Sequence, residues 1–212
     1  KVAETLVIAD NKEAIISALD RALEQGTFVF FTGGLGPTKD DITKNTLAEY
    51  FDMPLEFHQP TFDNIKQLFA QYDKVADERY ELQSHMPKGA RVLINKVGTA
   101  SGIWIQTKEN KLVISLPGVP REMKYLIKYE VLPRIRQQYK TPEILHKTIL
   151  TTGIGETDLS EVLEDFENNL PHNISLAYLP NTMEGLVRLR LSASGSDGIL
   201  LETQLDQKVS EL

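Results

Sequence analysis

The fold of this sequence is constrained above all by a group of three glycines close behind an apolar run. Phe28–Phe31 is a short, continuously apolar run of the kind found in strands buried on both faces, and Gly33, Gly34 and Gly36 come next. A second apolar run, Glu4–Ala9, predicts an earlier strand, and helical spacing lies between the two runs and again after the glycines. The order strand, helix, strand, loop, helix is typical of a parallel sheet that is covered by helices.

Capping residues mark the ends of the predicted helices. Asp10 is a predicted N-cap with Glu13 as its capping-box partner, and Gly26 is a predicted stop for the first helix. Helical periodicity resumes at Asp41 and ends before Pro54. The predicted strand before the glycines therefore has a helix on either side of it in sequence.

Further elements of both kinds are predicted between residues 61 and 139. In chain order they are a helix at Thr61–Asp73, a second helix at Asp77–Met86, a strand at Arg91–Asn95, a pair of strands at Ile103–Thr107 and Leu112–Leu116, and a long helix from the LPGVPREM stretch to near Tyr139. Their mixture of strands and helices favours the α/β class.

The composition shifts at Lys140–Pro142, where we predict a linker. Beyond it we predict a strand at His146–Thr152, a helix at Glu156–Glu167, strands at Ile174–Leu179 and Leu186–Ala193, and a helical start at Ile199. This pattern suits a small α+β domain. We therefore predict two domains, 1–140 and 141–212.

The composition excludes several classes of protein. There is no cysteine, which rules out disulfides, thiol catalysis and cysteine-ligated metal centres. A net charge of −7 disfavours a nucleic-acid backbone as the main partner, because phosphate binding draws on clustered lysine and arginine. No apolar run is long enough for a membrane span or a signal peptide, so we predict no membrane partner and a cytoplasmic location.

The glycine loop has the character of an anion site. Its backbone amides form a concavity that a phosphate can approach closely, and the Thr32 and Thr38 hydroxyls can donate to phosphate oxygens. The spacing is neither GxGxxG nor GxxxxGK[ST], so neither the dinucleotide fingerprint nor the P-loop applies. The alternative is a tight strand-to-helix turn that needs glycine for its geometry alone.

Two adjacent carboxylates, Asp40 and Asp41, follow the loop. One of them can cap the next helix, and Asp40 suits that role. A second carboxylate beside a phosphate would repel it unless a cation lies between them, and Mg²⁺ is commonly bound by one or two carboxylates and substrate phosphates. We therefore predict Asp41 as the metal ligand and principal catalytic residue, with Asp40 as a possible helper.

Two more loops follow predicted strands and are candidates for the same site. Pro117, Gly118 and Val119 turn a strand into a helix, and their position predicts a wall opposite the first loop. Gly98 and Thr99 follow another strand, where Thr99 can bond a phosphate or a ribose. The alternatives are a rigid turn at the first of these places and a plain loop at the second.

The stretch TGGLGPTKDDIT resembles the phosphate loop of the molybdopterin-binding-like family. The matching residues are Thr32, Gly33, Gly34, Gly36, Asp41 and Thr43. The stretches NKVGTASGIWI and ISLPGVPREMK resemble the N-terminal domain of the CinA family of competence/damage-inducible proteins. The stretch TTGIGETDLSEVL is similar to the KH-like domain that follows it in that family.

The resemblance carries expectations about the fold and the extent of the chain. It implies a three-layer α/β/α domain with a mostly parallel sheet, followed by the small KH-like domain. The family begins with another strand and helix carrying GDE and DTN segments, so we expect the first domain to be N-terminally truncated and the second to be incomplete. Family members often continue into an amidohydrolase domain, whose activity we do not assign to this chain. Ser101 stands where the family usually has proline.

The resemblance also implies a function. It suggests metal-dependent hydrolysis of the diphosphate of a nucleotide-type substrate, ADP-ribose in the first place, with Mg²⁺, Mn²⁺ or Co²⁺. The amides from Gly33 through Leu35 to Gly36 would bind phosphate. The alternative is a non-catalytic module that binds molybdopterin or a nucleotide phosphate. The same analogy predicts a homodimer or other homo-oligomer. We predict no nucleic-acid partner.

Overall fold

A four-stranded sheet organises the first of two units in this computed structural model, which describes residues 2–181 and 186–212. The first unit ends at Gln138 and the second runs from Tyr139 to Leu212. The helices of the first unit are α1 (Lys12–Gln25), α2 (Thr43–Tyr50), α3 (Gln59–Ala70), α4 (Glu78–Gln83), α5 (Pro120–Leu126) and α6 (Leu132–Gln138). Its strands are β1 (Phe28–Thr32), β2 (Leu55–Phe57), β3 (His85–Pro87), β4 (Arg91–Leu93), β5 (Gly102–Gln106) and β6 (Leu112–Leu116).

The main sheet is mixed in strand direction and has the order β1-β6-β5-β4. β1 and β6 are parallel, with Phe28 opposite Leu112, whereas β5 pairs antiparallel with both β6 and β4. The predicted α/β class is confirmed, and so is the predicted pair of strands that forms β5 and β6. β2 also forms a short ladder with β3, and neither strand was predicted. The predicted helix at Asp77–Met86 is wrong at its end, because α4 stops at Gln83 and β3 begins at His85.

Helices cover both faces of the main sheet. Ile103 packs with Leu19 of α1 and Leu47 of α2, whereas the preceding Gly102 lies against Leu126 of α5. Successive residues of a strand point to opposite faces, so α1 and α2 lie on one side of the sheet and α5 on the other. All five residues of β6 are buried, as this three-layer arrangement requires.

The predicted strand at Glu4–Ala9 is wrong. These residues form no strand, and Val7 is 99% exposed. Its β-branched pattern gives a preference for extended backbone, but a strand also needs a neighbour to pair its amides and carbonyls. Because Glu4–Ala9 does not pair with it, β1 is an edge strand among the described residues. Phe30 of β1 is 46% exposed, although burial on both faces was predicted.

Two helix starts differ from the prediction. Asn11, not Asp10, caps α1, because its side chain accepts a hydrogen bond from the Ala14 amide at 2.8 Å. α2 begins at Thr43 without any side-chain cap, so Asp40 does not cap it. The long helix predicted after Pro120 is continuous through α5 and α6, with a π-helical turn at Ile127–Val131 between them.

The second unit is a three-stranded antiparallel sheet with helices packed on it. Its elements are β7 (Glu143–Thr152), α7 (Glu156–Val162), α8 (Glu164–Asn168), β8 (Ile174–Asn181), β9 (Leu186–Gly195) and α9 (Gly198–Glu211), and the strand order is β7-β9-β8. Leu191 of β9 packs with Leu201 and Leu205 of α9 in its core. The predicted α+β class is confirmed, although the helix predicted at Glu156–Glu167 is divided at Leu163.

None of the helices formed by residues 2–181 and 186–212 has the length and apolar character needed to cross a bilayer.

Candidate functional site

Two glycine loops meet at the carboxyl ends of β1 and β6. Because these strands are parallel neighbours, the loops that follow them leave the same edge of the sheet. The Gly33 amide donates to the Leu116 carbonyl at 2.9 Å, which carries the ladder into the first loop. A Cβ added at Gly118 would lie 3.3 Å from the Gly33 Cα, so the second loop is in contact with the first. The structure thus brings together the two loops that were predicted as opposite walls.

Backbone conformation and packing both require glycine in the first loop. Gly33 and Gly34 have φ values of 105° and 67°, in the left-handed region that residues with a Cβ rarely adopt. A Cβ at Gly34 would also lie 2.1 Å from Oγ1 of Thr43. Leu35 is buried in the core between sheet and α2 and anchors the loop there. Consecutive glycines therefore set the course of the loop, and the buried Leu35 side chain anchors it to the core.

The Asp41 carboxylate closes the first loop on itself. Its Oδ2 accepts hydrogen bonds from the Thr38 amide at 3.0 Å and from the Thr38 hydroxyl. Burial alone would raise the pKa of Asp41, but bonds from Thr38 and Gly36 and the charge of Lys44 hold that pKa below its ordinary value. Asp41 is therefore an ionised group that shapes the loop, whereas the neighbouring Asp40 is exposed.

Sequence reasoning missed a buried cation next to this carboxylate. Lys44 in the first turn of α2 is 8% exposed, and its Nζ donates to the Gln83 carbonyl at 3.0 Å. Burial lowers the pKa of Lys44 to about 8, and the charge of Asp41 opposes that shift. Nothing local distinguishes Lys44 from a solvated helix lysine, because the segment that buries it comes from the distant α4.

A third loop is tied to the helix that follows the second. Asn95 is fully buried, and its Nδ2 donates to the Ala100 carbonyl at 3.0 Å and to Oε2 of Glu122 at 2.6 Å. Oδ1 of the same side chain accepts from the Val97 amide at 3.1 Å. The Glu122 carboxylate covers Gly98, since a Cβ there would lie 2.1 Å from the Glu122 Cδ. One asparagine thus joins this loop to the start of α5.

The predicted site residues fall in these three loops of the first unit, except Thr32, which is the last residue of β1. Gly33, Gly34, Leu35, Gly36, Thr38, Asp40 and Asp41 belong to the first loop, Pro117, Gly118 and Val119 to the second, and Gly98 and Thr99 to the third. The first two loops are in direct contact, and the third contacts Glu122 of α5, the helix that follows the second loop.

Glu122 provides a test of this local description by its pH dependence. Burial raises the pKa of Glu122, and the hydrogen bond from Asn95 and the charge of Arg121 oppose that shift. A raised folded-state pKa contributes stability below the unfolded-state pKa, and this is lost as pH rises through the folded-state pKa. We expect Glu122→Gln to unfold at higher denaturant concentration than wild type at pH 7, with the difference vanishing near pH 4. A constant difference over that range would contradict this description.

The side chains at the site fit one kind of metal site and not another. Within residues 2–181 and 186–212 no three His, Asp or Glu side chains gather as metal ligands. Asp41 offers a single carboxylate at the loop edge. Mg²⁺ is commonly bound by one or two carboxylates with substrate phosphates completing its shell. The site therefore fits a cation that arrives with a phosphorylated ligand and does not fit one held by protein alone.

Comparison with known proteins divides the chain in two. Residues 1–137 match the family of probable molybdopterin binding domains, and residues 146–212 match the damage-inducible protein CinA KH domain. A CinA-like protein of Flavobacterium psychrophilum is 48% identical over 212 residues, which are 100% of this chain and 50% of that protein. A putative competence-damage inducible protein of Clostridioides difficile is 38% identical over 88% of this chain and 44% of its own length.

A solved structure gives a further match. The protein CinA of Thermoplasma acidophilum, described as of unknown function, is 32% identical over 60% of this chain and 71% of that chain, with a TM-score of 0.49. The present chain spans about half the length of the curated relatives it matches. A probable molybdopterin binding domain that carries the two glycine loops is followed in sequence by a CinA KH domain, and this chain therefore belongs to the CinA family.

Proposed function

We propose that the first unit binds the diphosphate of a nucleotide-type ligand between its two glycine loops and hydrolyses it with the help of a divalent cation. ADP-ribose is the substrate we favour. The observation that carries the proposal is the contact of Gly33 with Gly118, where the first of the two loops is closed by the ionised Asp41. Glycines at the contact between the two loops give phosphates access to backbone amides, and the carboxylate supplies the counterpart for a cation.

Each residue then has a distinct task. Because the Gly33 amide donates to Leu116 and the Gly36 amide to Asp41, a phosphate at this loop would accept from the amides of Gly34 and Leu35. The buried ammonium of Lys44 balances negative charge close to the loop. Asp41 fixes the loop through Thr38 and would hold Mg²⁺, Mn²⁺ or Co²⁺ together with substrate oxygens. Such a cation polarises a phosphoryl oxygen and lowers the pKa of a bound water.

The second candidate is a binding module without chemistry. The observation that favours it is that the Asp41 carboxylate is already committed to Thr38 and Gly36, as a purely structural loop-closing residue would be. In that case the loops would hold a phosphate of molybdopterin or of a nucleotide and release it unchanged.

The two candidates differ in what the chain does to ADP-ribose. Incubation with and without Mg²⁺, Mn²⁺ or Co²⁺, followed by chromatography, is expected to show AMP only in the presence of metal. Thermal unfolding in the same solutions measures binding separately, because a ligand that binds only the native state raises the melting temperature. Stabilisation without AMP would establish the binding module and end the hydrolytic proposal. AMP released equally without metal and in the presence of a chelator would contradict the role given to Asp41.

A further inference from the structure

Helices pack on one face of the three-stranded sheet of the second unit. Leu159 of α7 contacts Val187 and Leu189 of β9, and α8 and α9 join the core formed by the same face of that strand. Successive residues of a strand point to opposite faces, so Arg188 and Arg190 lie on the other face, where both are exposed. We call the side of this sheet that carries the two arginines the open face.

The open face combines positive charge with exposed apolar surface. Arg190 stands opposite Thr148 and Ala177, so it has uncharged neighbours on both adjacent strands. Arg188 has leucines at the corresponding places. Neither arginine side chain forms a hydrogen bond or an ion pair with any described residue. Leu150, on the same face, is 56% exposed. Arginine beside exposed apolar side chains is a composition typical of protein–protein contacts.

The helices on the opposite side of this unit carry the complementary charge. Residues 156–167 of α7 and α8, which we call the acidic segment, contain six exposed carboxylates. They are Glu156, Asp158, Glu161, Glu164, Asp165 and Glu167. None of them forms an ion pair with another described residue, and no lysine or arginine occurs in sequence between Lys147 and Arg188. Val162 adds an exposed apolar group to this segment.

The two surfaces cannot meet within one chain, because the sheet lies between them. Leu159 holds the acidic segment on the face opposite to Arg188 and Arg190. A pair of copies packed open face to open face would set these arginines of the central strand against each other, and like-charge repulsion disfavours that arrangement. The acidic segment of another copy offers the opposite charge and an apolar side chain, so it is the partner that fits the open face.

We propose that the open face of the second unit binds the acidic segment of a second copy of this chain. Every copy carries both surfaces, so the contact is heterologous and joins copies head to tail into a ring or an open array. The proposal is independent of the phosphate site and of the hydrolysis proposed for the first unit.

Sedimentation velocity over a range of protein concentrations tests this contact. At an ionic strength of about 0.02 M, where exposed charges are weakly screened, we expect species larger than the dimer that increase with concentration. In about 0.5 M salt they should dissociate at the same protein concentrations, because the Debye length falls to a few ångströms. A chain that stays monomeric at low ionic strength and high concentration would overturn the proposal.

Removal of either surface is expected to abolish the assembly. Arg188→Gln with Arg190→Gln removes the positive charge of the open face, and Glu161→Lys with Glu164→Lys disrupts the acidic segment. All four side chains are exposed, so both double variants should keep the melting temperature of the wild-type chain.

A mixture of the two double variants separates this contact from a general effect of charge. The arginine variant retains its acidic segment and the glutamate variant retains its open face, so one intact contact can form. Assembly in the mixture should therefore stop at a one-to-one dimer. As the matched control, Lys74→Gln with Lys108→Gln makes the same change of net charge as the arginine variant at exposed positions of the first unit, and it should leave the assembly intact.

Two further results would contradict the proposal. They are an assembly that survives both double variants, and a mixture that stays monomeric although both variants keep the wild-type melting temperature. Fluorescence anisotropy with a polyglutamate peptide and with a single-stranded oligonucleotide distinguishes the other occupants. If the wild-type chain is monomeric and binds either probe through Arg188 and Arg190, the open face serves an acidic protein or a nucleic acid instead of a second copy.

Discussion

Asp41→Asn is expected to cut metal-dependent release of AMP from ADP-ribose by about 10²–10³-fold, the loss typical when one preorganised electrostatic group is removed. Asparagine retains an oxygen that can accept from Thr38, so the loop should keep its course. What disappears is the negative charge that would meet the cation and that now lies near Lys44. The loss is measured as the initial rate of AMP release at saturating metal, with AMP quantified by chromatography. Circular dichroism verifies the fold.

Two neighbouring substitutions make this result specific. Asp52→Asn removes the same charge at an exposed position beyond the far end of α2, and Asn tolerates the φ of 51° found there, so activity should be unchanged. Asp40→Asn tests whether the exposed neighbour helps, and the exposure of its side chain predicts at most a severalfold loss. Retention of full activity in Asp41→Asn would remove this residue from the mechanism.

Gly34→Ala is expected to lower the free energy of unfolding by about 2–5 kcal/mol, combining the cost of a left-handed residue with that of overpacking. The new methyl group would lie 2.1 Å from Oγ1 and 2.8 Å from Cβ of Thr43, at a φ of 67°. Thr43 belongs to the first turn of α2 and cannot retreat without moving that helix. Urea denaturation gives the change, and calorimetry with AMP should show that binding is lost as well.

Gly89→Ala is a control that measures the cost of a positive φ without a steric clash. Gly89 has a φ of 87°, but a Cβ there would meet no atom within 4 Å. Its substitution should therefore cost about 1–2 kcal/mol, the conformational part alone. An equal loss in Gly34→Ala and Gly89→Ala would show that Thr43 yields easily and that the loop is less constrained than its contacts indicate.

Much of the fold could be predicted because its signals are local. The turn at Lys108–Lys111 between two apolar runs predicts the β5–β6 pair, and Gly26 marks the end of α1. The errors arise where local preference does not decide. Asp10 and Asn11 can both cap a helix, and only the bond to Ala14 selects Asn11. Glu4–Ala9 has a strand pattern, but pairing depends on a neighbouring strand that its own residues cannot supply.

The candidate site could be predicted only as far as its loops. Glycines after strands indicate where an anion can approach a backbone, and this places Gly33 and Gly118 at one sheet edge once the strands are parallel. The buried partners Lys44 and Gln83 could not be found this way. Their importance lies in burial by segments distant in sequence, and neither residue has a neighbouring motif that signals it.

β1 and β6 are adjacent in space but stand near opposite ends of the first unit in sequence, with α2, α3 and α4 between them. Contacts of such long range are closed late, because a large loop must be ordered before they form. A ligand bridging Gly33 and Gly118 would thus bind the native state and hardly the folding transition state. It would slow unfolding without speeding refolding, and so would lengthen the lifetime of this unit against proteases that attack the unfolded chain.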